Sequence, residues 1–260
     1  MSLYSDLNVE AWDDVTEKLI RKFPLPMDEI VEVVCCSWKR LWQTQIGDEK
    51  LSFPLSEIDP PATVVGYMLE KLIAKELNNR YPNLWRGYKN DSDKDIVFIP
   101  DNNFSFEIKT SGQRGIKIFG NRSYGQKLQD NSKAKKDKSG YYLTVNFYKT
   151  TLNLIRFGWI DAEDWKAQAA STGQMASLSN EVYDHKLKSL IYDYCLSANI
   201  WLVKGVSPKV EEQLNNFGIH TIGDLINSPI IEDRKYRKFQ TVALETYGDL
   251  VSDGLDKYFS

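Results

Sequence analysis

The sequence predicts an α/β (α+β) fold, a central mixed β-sheet flanked by helices and followed by a small helical C-terminal module. Three observations carry this. Apolar residues recur at helical spacing in the stretches before residue 81. Between residues 95 and 160 the pattern switches to the two-residue period of strands. Beyond residue 200 short helical runs return, punctuated by Gly205, Gly218 and Gly223.

The size and composition fit such a fold. A chain of 260 residues with 42% hydrophobic content can bury one good core and carry a small appended module. No run approaches the apolar length of a membrane span, and the first residues lack the basic and apolar regions of a signal peptide. Cys35, Cys36 and Cys195 are too few and too oddly placed for a disulfide framework or a zinc site, which points to a reducing cytoplasm. The formal charge of −3 argues only weakly against nucleic acid, because the distribution of charge matters more than its sum. His185 and His220 are far apart in sequence, which disfavours histidine-based hydrolysis.

The opening is helical. Asn8 can cap a helix with Val9, Trp12, Val15 and Leu19 on one stripe, ended by Pro24-Leu25-Pro26. Asp28 can cap a second, carrying Ile30, Val31, Val34, Trp38 and Leu41. Both suit a scaffold or a dimer interface, with Lys39 and Arg40 on a solvated face. Residues 51–61, with prolines at 54, 60 and 61, read as a linker. The next helix spans about 62–80 and stops at Tyr81-Pro82. Gly66, Glu70, Ile73 and Leu77 share its inner stripe or the edge of it, where a carboxylate needs a partner. A salt bridge with a lysine on the helix flank would supply one.

The strand pattern begins at Asp95-Ile96-Val97-Phe98-Ile99, continues through Pro100-Asp101-Asn102, and resumes at 103–109. Phe104, Phe106 and Ile108 alternate with Ser105, Glu107 and Lys109, as on a strand with one buried side. A three-residue Pro-Asp-Asn turn sets Ile99 against Asn103 and Asp95 opposite Glu107. Two carboxylates then share a face with Lys109. They repel unless a cation lies between them, and magnesium suits a site of few carboxylates and several retained waters. The lysine can hold an attacking water or stabilise charge on a phosphoryl group. A solvated strand edge would carry the same Glu-x-Lys, but not the aspartate opposite.

Residues 109–138 hold nine lysines and arginines against Asp130 and Asp137. A basic segment that starts at paired carboxylates suits a phosphodiester substrate. Gln113, Arg114, Asn121 and Arg122 interleave with glycines that allow close backbone approach, and Lys135 and Lys136 read as a phosphate clamp. Strands follow at 141–148 and 152–160, joined at Lys149-Thr150-Thr151, and Asp161 can cap a short helix through Trp165. The polar run 171–177 offers Thr172, Gln174 and Ser177 as groups able to pair with base edges. A helix at 183–202 would bury Leu187, Leu190, Ile191 and Tyr194.

Asp95, then Glu107-Ile108-Lys109 on the next strand, resembles the PD-(D/E)xK nuclease motif, with Lys94 at the place of its proline. Phe106-Glu107-Ile108-Lys109-Thr110, Gly120-Asn121-Arg122-Ser123-Tyr124, Arg156-Phe157-Gly158-Trp159-Ile160-Asp161 and Thr172-Gly173-Gln174-Met175-Ala176 resemble type II restriction endonucleases of the EcoRV and ScaI kind, the ScaI type more closely. The resemblance implies a restriction-endonuclease-like core at 61–200, after an N-terminal helical region at 1–60. It implies Asp95, Glu107 and Lys109 as catalytic residues, with Glu70 on the preceding helix. Mg2+, replaceable by Mn2+, would be held by Asp95, Glu107, the Ile108 carbonyl and, in one reading, Glu70. Base readout falls at about 170–182. The implied reaction is hydrolysis of double-stranded DNA at a short palindrome by a homodimer, with blunt ends, in a prokaryotic cytoplasm beside a cognate DNA methyltransferase. Residues 205–225 resemble a helix-hairpin-helix module within a C-terminal region at 201–260, with Ser207 for its second hairpin glycine. Lys204 and Lys209 would face phosphate there, and a purely structural role fits equally. Two other functions remain open, a non-catalytic DNA-binding protein on a nuclease-like sheet and a repair or junction nuclease. An intact Asp95, Glu107 and Lys109 favours catalysis.

Overall fold

The computed structural model describes residues 2–125, 137–167, 175–229 and 233–259, with side chains up to 251 apart from those of Arg122 and Gly125. They fall into two compact units, residues 1–150 with 155–190, and residues 151–154 with 191–260. Among the described residues no helix is long and apolar enough to cross a membrane.

In the first unit Asn8 caps a 3-10 turn at Val9–Ala11 that runs into α1 (Trp12–Lys22). Helix α2 (Met27–Trp42) starts directly behind Pro26, so its cap is not Asp28, whose carboxylate accepts the neighbouring Glu29 N–H. The expected linker holds more structure. Strands β1 (Gln45–Gly47) and β2 (Ser52–Pro54) form a hairpin, followed by the one-turn α3 (Leu55–Ile58). The Asp48 carboxylate builds that hairpin's turn by accepting the Lys50 and Leu51 N–H groups at 2.9 Å. Helix α4 (Ala62–Arg80) has the expected bounds. Its buried Glu76 pairs with Arg80 at 2.7 Å and with Arg40, which ties α2 to α4 while Arg40 stays on the exposed face.

The strands are β3 (Trp85–Gly87), β4 (Ile96–Phe98), β5 (Phe106–Ser111), β6 (Gly120–Asn121), β7 (Gly140–Tyr148), β8 (Thr151–Ile160), β9 (Lys166–Ala167), β10 (Met175–Ser177) and β11 (Leu187–Ser189). Six make a mixed sheet in the order β11-β8-β7-β5-β4-β3, and β6-β10-β9 make a smaller one. β5 runs parallel to β7, with Glu107 opposite Tyr142 and Lys109 opposite Thr144. The alternation therefore continues across the sheet. Phe106, Ile108, Thr110 and Tyr141 face the helices, where Phe23 packs at tilted and edge-on angles among Trp85, Phe106, Tyr141 and Phe157. Both faces of β5 are covered, not one, and Glu107 is only 1% exposed.

The helix expected at 183–202 does not form. Its place holds a π-turn (Val182–Lys186), β11 and two 3-10 turns. Tertiary bonding overrides helical spacing here. β11 pairs with β8, and the missing Cβ of Gly158 makes room for the Lys186 carbonyl, which a side chain there would meet at 1.9 Å. The buried Lys186 ammonium bonds Asp161 at 2.8 Å and Asp164 at 2.9 Å. Asp161 also caps the 3-10 turn Ala162–Asp164, as its position suggested.

The second unit contains α5 (Pro208–Asn215), α6 (Ile222–Asn227) and α7 (Arg234–Phe259) around Ala198, Ile200, Leu214, Leu225 and Phe239. Asn153 Oδ1 accepts both the backbone and the side-chain N–H of Asn199 within it.

Candidate active site

The connection between β4 and β5 is wider than a three-residue turn. It spans residues 99–105 and contains a 3-10 turn at Asn102–Phe104, with Asp101 capping Asn103. Ser105 Oγ accepts the Phe98 N–H at 3.0 Å in place of a ladder bond. The register is nevertheless the expected one. Ile96 pairs with Phe106, which sets Asp95 opposite Glu107.

Asp95 Oδ2 accepts the Ile108 N–H at 2.8 Å, which orients its carboxylate. Lys109 Nζ lies 3.4 Å from Glu107 Oε2, 3.1 Å from the Ile108 carbonyl and 3.9 Å from Asp95 Oδ2. One ammonium thus lies within 3.9 Å of the three oxygen groups that the resemblance assigns to a metal. An all-oxygen set converging on one positive charge is the donor chemistry that a hard divalent cation takes, so these residues fit magnesium. Burial pulls the Lys109 pKa down, but Tyr124, Asp95 and Glu107 outweigh it and hold the group above its ordinary value. Lys109 is therefore charged at neutral pH.

Three further side chains frame the site, of which motif spacing pointed only to Lys94. The Tyr124 hydroxyl donates to Glu107 Oε2 at 3.4 Å, and its ring lies 5.1 Å from Lys109 Nζ. Tyr142, opposite Glu107 on β7, has its ring 6.0 Å from the same ammonium. Lys94, at the motif's proline position, approaches Glu107 Oε1 to 3.9 Å and donates to the carbonyls of Asp137 and Ser139. It ties the segment entering β7 to the carboxylates. The only sequence signal for Tyr124 is its place at the end of the family-like Gly120–Tyr124 run.

Glu70 sits half-buried at the edge of α4 and pairs with Lys71 at 2.6 Å, the lysine alternative. Among the described residues no three carboxylate, histidine or cysteine side chains gather as a metal cluster, so Glu70 is not joined to Asp95 and Glu107 here. Gln113 and Arg114 are exposed just beyond β5. Asn121 Oδ1 is engaged locally, accepting from the Ser123 backbone at 3.1 Å and its hydroxyl at 2.6 Å. Ser177 lies in β10, which pairs Met175 with Asn121 and Ala176 with Gly120. Two runs far apart in sequence, the glycine-rich one and the polar one, therefore adjoin. Lys135, Lys136, Thr172, Gln174 and the side chain of Arg122 lie outside the described residues. Lys204 and Lys209 are exposed in the second unit.

The model of the ScaI restriction endonuclease family matches residues 2–192. The chain belongs to that family. It is 38% identical over 198 residues to the type II restriction enzyme ScaI of Streptomyces caespitosus, covering 73% of this chain and 84% of that one. As a member of the ScaI family it is a type II restriction endonuclease, a site-specific deoxyribonuclease. The match ends at residue 192, close to where the first unit ends.

Proposed function

We propose that this ScaI-family enzyme cuts double-stranded DNA with magnesium, or manganese in its place, at a short palindromic site. The observation that carries this reading is the convergence of Asp95, Glu107 and the Ile108 carbonyl on the Lys109 ammonium. Asp95, Glu107 and the Ile108 carbonyl would hold the ion. When bound, it would supply Lewis-acid stabilisation of the phosphodiester and a more acidic water. Lys109, kept charged by its neighbours, leaves the carboxylates to hold a water or the charge growing on the phosphoryl oxygens. Asp95 is held in place by the Ile108 N–H, and Glu107 by Tyr124. Glu70 enters as a positioning group on α4.

Base readout falls to the segment at about 170–182, with Thr172, Gln174 and Ser177, while Gln113, Arg114, Asn121 and Arg122 also contact DNA and Lys135 and Lys136 hold phosphate. Two-fold symmetry of a homodimer accounts for a palindrome, central cutting gives blunt ends, and a cognate methyltransferase protects the host. In the C-terminal unit, Lys204 before the Gly205 turn and Lys209 in the first turn of α5 would face phosphate.

The test is digestion of a plasmid library with magnesium by the wild type and by Asp95→Ala and Glu107→Ala. The wild type gives discrete fragments, and both variants bind duplex DNA without cutting it. A variant that cuts at near wild-type rate removes that carboxylate from the site.

A further inference from the structure

Beside the carboxylates lies a groove of about 630 Å³ between α4 and the chain around β3. Its lining includes Lys71, Lys75, Asn78, Arg86, Lys89 and Asp95, four cations against one carboxylate. The helical residues fall three and four apart, on one face of α4. The walls are braced. Asn78 Nδ2 donates to the Trp85 carbonyl at 2.8 Å, and Gly87 lets the Ala74 methyl approach so closely that an added Cβ would sit 3.2 Å from it.

Two of the cations are already committed. Arg86 bonds Asp93 at 2.7 Å, and Lys71 pairs with Glu70 while resting 3.8 Å above the Tyr88 ring. Lys75 and Lys89 are exposed and have no ion pair among the described residues. They carry the groove's uncommitted charge. Ala74, Pro82, Tyr88 and Ile99 complete the walls, so it is the excess of positive charge that selects the occupant. A polyanion that must also pass Asp95 fits it by charge.

We propose that this groove is a second phosphate-binding surface, on which Lys75 and Lys89 hold the DNA backbone alongside Asp95. The inference rests on the nuclease reading above and adds to it a contact surface outside the basic segment 109–138. Lysines suit the task as mobile point charges on phosphate that carry no sequence information.

The experiment compares the full chain with its Lys75→Glu/Lys89→Glu variant. The probe is a labelled duplex oligonucleotide of mixed sequence without magnesium, titrated across a range of salt. Each lost phosphate contact should lower the slope of log affinity against log salt by about 0.9, so the pair should lower it by roughly 2. Weakening should be alike for all sequences, and the fragment pattern in magnesium should be unchanged. Lys18→Glu/Lys50→Glu alters net charge equally at exposed positions away from the groove, and should leave the slope near the wild-type value. If charge reversal lowers the melting temperature, Lys75→Gln/Lys89→Gln gives the same comparison without added repulsion. A wild-type slope in the groove variants, or an equal fall in the control pair, overturns the proposal while the wild type still cuts. A wild type that neither binds nor cuts DNA overturns the nuclease reading itself.

Discussion

Lys109 is the residue on which the chemistry turns, because one ammonium lies within reach of both carboxylates and a backbone carbonyl. Lys109→Ala removes a preorganised charge from the reacting phosphate but leaves every oxygen ligand in place. Single-turnover cleavage should slow by about 2.7–4 kcal/mol, by analogy with loss of an oxyanion donor. Magnesium binding, followed by calorimetry, should survive. Unchanged single-turnover kinetics would return Lys109 to a merely structural role. Tyr124→Phe makes a finer test. It deletes the hydroxyl on Glu107 Oε2 and keeps the ring beside Lys109, so kcat should fall by less than in Lys109→Ala, with folding intact. An equal or larger loss would make the hydroxyl more than a brace. The carboxylate pair was legible because a strand period of two fixes which residues share a face. Tyr124 was not, since its approach to Glu107 depends on how the chain returns after β5. Nor was the turn itself, where Ser105 Oγ and a 3-10 segment widened the loop without slipping the register.

Among elements, the seating of α4 on β5 decides where Glu70 and the groove lie. It depends on Gly66, where an added Cβ would meet Thr110 Oγ1 at 2.2 Å. Gly66→Ala should therefore push the helix outward and cost about 1–3 kcal/mol of stability, read as a lower melting temperature with weakened cleavage. Thr110→Ala removes the opposing hydroxyl, so the double variant should recover much of the loss, and the cycle measures that coupling. Additive losses would show that Gly66 is not a packing contact. The β8–β11 edge has a similar dependence. Lys186→Met strips the buried ammonium from Asp161 and Asp164, and should cost about 3–5 kcal/mol by leaving two carboxylates buried together. A melting temperature unchanged at neutral pH would refute this. The bounds of α4, β7 and β8 were readable from period and prolines. The strand at 187–189 was not, because Leu187 and Leu190 fit a helical stripe as well as a strand edge. What settles them is a long-range partner, the glycine at 158 and the acidic pair beyond it.

At the scale of the whole molecule, the chain joins a unit that matches its family to a second that lies almost wholly beyond the match. The second unit's own core accounts for its folding, and does not by itself require DNA. What it offers is a turn at Gly205, with φ of +90°, leading to Ser207, whose hydroxyl caps α5 at Val210. Lys204 and Lys209 stand exposed on either side of that turn and have no ion pair among the described residues. If the hairpin clamps phosphate, Lys204→Glu with Lys209→Glu should weaken binding to every duplex alike. The loss should grow towards low salt, where counterion release contributes most, and the slope should fall by roughly 2. Because both side chains are exposed, the melting temperature should not move. Combining this pair with Lys75→Glu/Lys89→Glu should give additive losses, since the two pairs share no partner. An unchanged affinity across the whole salt titration would make the second unit a structural appendage of the nuclease, and its DNA-binding role would be withdrawn.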